Sequence, residues 1–176
     1  DARQASGSTV DEPRRLERFC PGTPASVALL CGPEARFTLP PCLQRIEGAD
    51  ELRYGGGMLP LPPVLAMRAT ALARRVAGAL PSPRGYLGVD LVLGPDPAGR
   101  EDVVIEVNAR LTTSYVGLRA ALEPGMNLAA AMLDVCGLRV GSACQAGSRA
   151  ARLSFRPLEV EFGADGRVRL RGSGVS

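Results

Sequence analysis

The sequence predicts an α+β domain in which helices pack against an antiparallel sheet, and three observations carry that prediction. Between residues 62 and 80, apolar side chains recur at helical spacing. Residues 86–93 and 103–110 each set apolar against polar positions, and the turn-rich GPDPAGRED joins them as antiparallel neighbours. Residues 159–170, EVEFGADGRVRL, alternate on either side of a Gly/Asp-rich turn, which is a hairpin pattern.

Taken in order, residues 1–15 are polar and read as a lead-in loop. A strand is expected near Leu16–Cys20, a turn at Pro21–Gly22 and a strand over Ala25–Cys31. Gly32–Glu34 turns the chain into a short strand, Arg36–Leu39. Pro40–Gly57 is expected to be irregular, ending in a mobile, backbone-rich Tyr54-Gly55-Gly56-Gly57. Pro62 or Pro63 opens the helix, as a first-turn proline can. Leu65, Ala69, Leu72, Val76 and Leu80 form its stripe, Arg68, Arg74 and Arg75 lie off it, and Pro81 and Pro83 stop it. Asn127 is placed to cap a second helix, with Leu128, Met132 and Val135 inward and Gly137 at its end. Gly141–Ser148 reads as a linker to the tail hairpin. The organisation expected is a lead-in (1–15), a main lobe (16–140) and a tail (141–176).

Composition closes off several functions. The 176 residues suffice for one domain or for two small lobes sharing a cleft. A net charge of +3, spread along the chain, argues for neither a nucleic-acid nor a membrane partner. No apolar run reaches membrane-spanning length, and the N-terminus is not a signal peptide. All 21 basic residues are Arg and there is no His, so this chain supplies no Schiff-base lysine, histidine base or histidine metal ligand. Cys20, Cys31, Cys42, Cys136 and Cys144 are odd in number and form no CxxC pair. They are expected to be reduced thiols in a cytoplasmic protein, used as small apolar residues rather than as a zinc site or a nucleophile. The first residue is Asp rather than Met, and a fragment of a larger protein is the expectation.

The chemistry concentrates in VVIEVNARLTTSYVGLR, residues 103–119. Strict alternation places Val103, Ile105 and Val107 on one face, and Val104, Glu106, Asn108 and, if the strand persists, Arg110 on the other. In the preceding strand Leu87, Val89, Leu91 and Leu93 oppose Tyr86, Gly88, Asp90 and Val92. Asp90, Glu106 and Asn108 would then converge on one surface, where two carboxylates repel unless a hard cation sits between them. Acidic residues on the outer face of a half-exposed sheet, paired with Arg, would leave the same pattern.

The order of elements, with the phrases ERFCPG, GYLGVDLVL and VIEVNARLTTSYVGLR, resembles the C-terminal part of an ATP-grasp ligase over roughly residues 16–136. Within that superfamily the tyramine–glutamate ligase type is the subgroup it looks like. The resemblance implies a C-terminal lobe that is incomplete without an upstream lobe. It implies that Asp90, Glu106 and Asn108 hold Mg2+ (or Mn2+) and, through it, ATP. Arg110 would contact the transferred phosphoryl group. Glu17 and the backbone of Arg18 and Cys20 would read the adenine edge, with Phe19 packed in the core. Thr112, Thr113 and Ser114 would face substrate, as would Gly56 and Gly57 if their loop approaches it closely; as ordinary turns, both stretches need no such role.

Two departures stand out. Pro24 occupies the place where the family carries an acid for the ribose hydroxyls, and the lysines that bind phosphates from the upstream lobe have no counterpart in this chain. The function implied is an ATP- and magnesium-dependent carboxylate–amine ligase working through an acyl phosphate, with a small-molecule acid and amine as substrates. The alternative is a non-catalytic nucleotide- or metal-binding domain. The tail hairpin could also mediate homo-oligomer formation, although its alternating Arg and acidic residues suit a solvated face equally well.

Overall fold

The computed structural model describes residues 18–48, 52–138 and 149–172. Among them the order is β1 (Thr23–Cys31), β2 (Arg36–Thr38), β3 (Cys42–Glu47), β4 (Arg53–Leu59), α1 (Pro63–Ala79), β5 (Gly85–Leu93) and β6 (Val103–Asn108). There follow α2 (Ser114–Ala121), α3 (Leu128–Val135), a 3-10 turn at Ala150–Arg152, β7 (Leu158–Phe162) and β8 (Val168–Gly172). The eight strands form one sheet in the order β6-β5-β1-β3-β4-β7-β8, with β2 also alongside β1. All the pairings are antiparallel. The α+β class is therefore as the sequence predicts.

Alternation along the strands gives the sheet two apolar faces. On one, Val27 and Leu29 of β1 join Leu87, Val89, Leu91 and Leu93 of β5 beneath α1. The helix lies down on Ala69, Ala73 and Ala77, four residues apart, so its buried stripe is made of small side chains flanked by Leu65, Leu72 and Val76. On the other face Ala28, Leu30, Tyr86 and Leu59 pack under α2 and α3 through Leu118, Leu122, Leu128 and Val135. Arg68 of α1 ties the β5–β6 turn to the helix. Its Nε donates to Asp102 at 3.0 Å and its Nη2 to the Gly94 carbonyl at 2.8 Å, while Gly94 N–H donates to Asp102 at 2.9 Å.

Four expectations need correcting. The segment 40–57 is not irregular: it contains β3 and β4, and Gly55–Gly57 is buried strand rather than a mobile loop. Gly56 has φ +136°, and a Cβ there would sit 2.0 Å from the Val160 carbonyl oxygen, so the glycines let β7 approach β4. Second, Ser114, expected in a substrate-facing turn with Thr112 and Thr113, instead opens α2, which runs to Ala121. Gly117 makes this possible, because a Cβ would lie 3.0 Å from Val160 Cγ2 where the helix crosses the sheet.

Third, β6 does not alternate strictly. A bulge shifts the register so that Asp90 faces Glu106 while Leu91 faces Val104. Val104 and Val107 thus share the face of Leu91 and Val89, and Val103 moves to the face of Glu106 and Asn108. As the edge strand, β6 also leaves Val104, Ile105 and Val107 exposed instead of burying a core face. Fourth, residues 18–20 are not strand; Leu16 and Glu17 lie outside the described residues.

Asn127 caps α3 as expected, its Oδ1 accepting from Ala130 N–H at 3.0 Å. The hairpin β7–β8 also forms, and it extends the main sheet by pairing β7 with β4. Residues 141–148, the expected linker, and Cys144 lie outside the described residues. Cys20, Cys31, Cys42 and Cys136 are free thiols, and burial pushes Cys42 up to about 12, leaving it inert as a nucleophile. Among the described residues no helix is long and apolar enough to cross a membrane.

Candidate functional site

Asp90 sits in the middle of a strand whose neighbours Val89 and Leu91 are buried against α1. Its own side chain points to the opposite face, level with Ser26 of β1 and Glu106 of β6, since Ser26 pairs with Asp90 and Asp90 with Glu106. Two carboxylates directly opposed across strands would normally destabilise the pair. Asn108 answers that repulsion: its Nδ2 donates to Asp90 Oδ2 and to Glu106 Oε2, both at 3.1 Å. The other Asp90 oxygen, Oδ1, accepts from Gln44 Nε2 of β3 at 2.9 Å. Asp90, Glu106 and Asn108, separated by up to eighteen residues, are therefore brought together.

Asp90 has its pKa raised, chiefly by burial and further by the Glu106 charge, while hydrogen bonds from Ser26 and Gln44 and the charge of Arg110 pull it down. Arg110 itself is exposed; β6 ends at Asn108, so the strand does not persist to carry it in line, and its Nη1 donates to the Leu111 carbonyl at 3.3 Å.

A run of hydroxyls leads away from the carboxylates. Ser26 Oγ lies 3.3 Å from Ser114 Oγ, Ser114 2.8 Å from Thr112 Oγ1, and Thr112 3.1 Å from the Tyr86 hydroxyl. In each of these contacts either hydroxyl can be the donor. Burial raises the pKa of the Tyr86 phenol at the end of this run. The expected substrate-facing hydroxyls Thr112 and Ser114 are thus linked to Ser26, which stands opposite Asp90 across β1 and β5. Thr113 and Ser114 also share a narrow crevice with Gly57, Cys42 and Tyr54, whose enclosed space of about 10 Å³ admits one water at most. Gly56 and Gly57 lie in β4 and owe their place to strand packing; only Gly57 reaches that crevice.

The expected nucleotide-edge residues fare differently. Glu17 lies outside the described residues. Arg18 and Cys20 precede the first strand, and Phe19 is 82% exposed, not core: among the described residues the sheet begins only at Thr23. Pro24, in β1 beside Val92, brings no polar group to the face. Gln44 and Ser26 are residues that sequence reasoning missed. Ser26 was detectable as the one hydroxyl in the apolar run Ala25–Cys31, but Gln44 lay in a segment read as irregular and so had no face.

The donor set suits a hard divalent cation. Two carboxylate oxygens already converge on one partial positive charge, the Asn108 amide nitrogen, and a half-turn of that terminal torsion presents Oδ1 instead. Among the described residues no three His, Cys, Asp or Glu gather to bind a metal.

A family model described as an ATP-grasp domain matches residues 3–114. No curated protein matches the sequence. Among solved structures, one assigned to the ATP-grasp superfamily from Archaeoglobus fulgidus superposes with a TM-score of 0.62 at 23% identity, covering 89% of this chain and 47% of that one. A carboxyaminoimidazole ribonucleotide synthase from Aspergillus clavatus, complexed with ATP, gives 0.58 at 16%, covering 79% and 33%. A phosphoribosylglycinamide synthetase from Anaerococcus prevotii gives 0.59 at 14%, covering 82% and 35%. The chain spans about half or less of the length of these structures, and at such identities the likeness is one of fold.

Proposed function

The chain belongs to the ATP-grasp domain family, and from that premise we propose that it is the nucleotide- and metal-binding C-terminal portion of an ATP-dependent carboxylate–amine ligase. The observation that carries this proposal is the Asp90–Glu106 pair, registered across β5 and β6 and bridged by Asn108. In this reading Asp90, Glu106 and Asn108 hold Mg2+ or Mn2+ together with ATP phosphates. When bound, the cation neutralises phosphate oxygens and orients the terminal phosphoryl group.

The remaining steps fall to the chain's own side chains. Arg110, exposed and permanently charged, offers a planar fork to the phosphoryl group as it passes from ATP to the substrate carboxylate. The acyl phosphate so formed loses phosphate when the amine attacks its carbonyl carbon. Thr112, Thr113 and Ser114 offer hydroxyls that bind an acid or amine without adding a competing charge. Glu17 and the Arg18 and Cys20 backbone are assigned to the adenine edge.

The test uses the complete protein. Amine-dependent ADP release is measured with candidate acids and amines, tyramine and glutamate being the first pair, for wild type, Asp90→Asn and Glu106→Gln. Each variant should lose on the order of 100-fold or more in turnover; wild-type rates in both would reject the assignment. Pro24 and the absence of Lys favour a second reading, a domain that binds nucleotide without turnover. That reading expects ADP to bind while no acid and amine pair releases phosphate.

A further inference from the structure

Building on the carboxylate site proposed above, we infer that Gln44 is a positioning residue that orients Asp90 for the cation. The two oxygens of Asp90 have different partners. Oδ2 faces Asn108 and Glu106, whereas Oδ1 is taken by Gln44 Nε2 at 2.9 Å. A carboxylate held by one donor on each oxygen has its plane defined, and the oxygen left toward Glu106 is the one the cation needs. Ser26, 1% exposed, stands directly opposite Asp90 on β1.

The sheet makes this contact long-range. Gln44 stands on β3, and β1 lies between β3 and β5, so the side chain reaches diagonally across a whole strand. Directly opposite it on β4 is Gly57, which presents no side chain to block the amide. Pro24 is the β1 residue flanking that path, two positions from Ser26 on the same face, and it offers no competing donor. Gln44 is thereby left with Asp90 as its hydrogen-bonding partner. Gln44 does not touch the cation in this scheme; it acts through Asp90.

The experiment compares Gln44→Met, Gln44→Asn and Asp90→Asn with wild type in the complete protein. Manganese affinity in the presence of ADP is read by the paramagnetic signal of free Mn2+, alongside metal-free ADP affinity and thermal unfolding. Both Gln44 variants should weaken Mn2+ binding roughly 10-fold, with metal-free ADP affinity and the unfolding temperature unchanged. A merely structural role would move the unfolding temperature and both affinities together, and that result would overturn the inference. So would wild-type Mn2+ affinity in whichever Gln44 variant folds. If Asp90→Asn abolishes Mn2+ binding while the Gln44 variants bind normally, the site stands and only Gln44 falls. If Asp90→Asn also binds normally, the carboxylate site fails and takes the inference with it.

Discussion

The two faces of the sheet are built from the same strands and behave as different materials. Under α1, Val27, Leu29, Val89 and Leu91 meet an alanine stripe, and the buried cluster they form has no Asp, Glu or Arg. On the other face, Ala28, Leu30 and Tyr86 begin an equally apolar layer under α2 and α3. Beyond it the same strands carry Ser26, Asp90, Glu106 and Asn108. One residue's step along β5 passes from a side chain buried for stability to one held by Gln44 and Asn108 for chemistry. Period-2 geometry lets a strand serve both purposes without compromise, since neither face sees the other.

Substituting on either side of that step breaks the comparison most sharply. Leu91→Ala, which empties a site 1% exposed, should cost about 2–5 kcal/mol in chemical denaturation. Its neighbour Asp90→Asn should cost nothing in the same titration at neutral pH, because it removes a buried charge facing Glu106, its oxygen still accepts from Asn108, and the Gln44 amide can turn to accept from the new NH2. A loss of stability in Asp90→Asn equal to that of Leu91→Ala would show that the two faces are not functionally distinct.

Alkali should attack the polar face. Burial pushes both Tyr54 and Cys42 up to about 12, above their ordinary 10.0 and 9.0. The folded state therefore holds these protons more tightly than the unfolded chain does. The stability so conferred is whole below pH 9 and is lost as pH rises toward about 12. Unfolding temperature followed from pH 8 upward should fall across that interval, and Tyr54→Phe should flatten the fall. Smaller effects sharpen the picture of the cover. Gly56→Ala should destabilise by at least about 1 kcal/mol through its positive φ and the Val160 carbonyl. Asn127→Ala, removing the α3 cap, should cost about 1 kcal/mol by the same thermal assay.

How much of this was legible in the residues depends on whether a local signal was present. The helix at 63–79 was marked by a proline at its start, an apolar stripe and two prolines beyond its end. The Asn127 cap was likewise local. β3 and β4 were not legible, because three glycines and scattered charge give no strand period, and their strand state comes from pairing with each other and with β7. α2 was hidden by its Ser, Val and Gly, poor helix formers stabilised by the sheet they lie on. In the site, the alternation in 86–93 and 103–108 was enough to place Asp90, Glu106 and Asn108 on one surface. The bulge that sets Glu106 opposite Asp90 and sends Val104 to the other face was invisible, since it exists only in the pairing of two strands.

By itself, then, the sequence determined the chemical inventory and the local periodicity: carboxylates, amides and arginines without lysine or histidine, on strands with one apolar face. Those are properties of each residue and its nearest neighbours along the chain. Only the tertiary structure decided that Gln44 reaches Asp90 across β1, that the tail hairpin joins the main sheet, and that Phe19 is exposed. Each of these depends on which strand lies beside which, and strand order is settled by packing energy summed over the whole sheet rather than by any one segment.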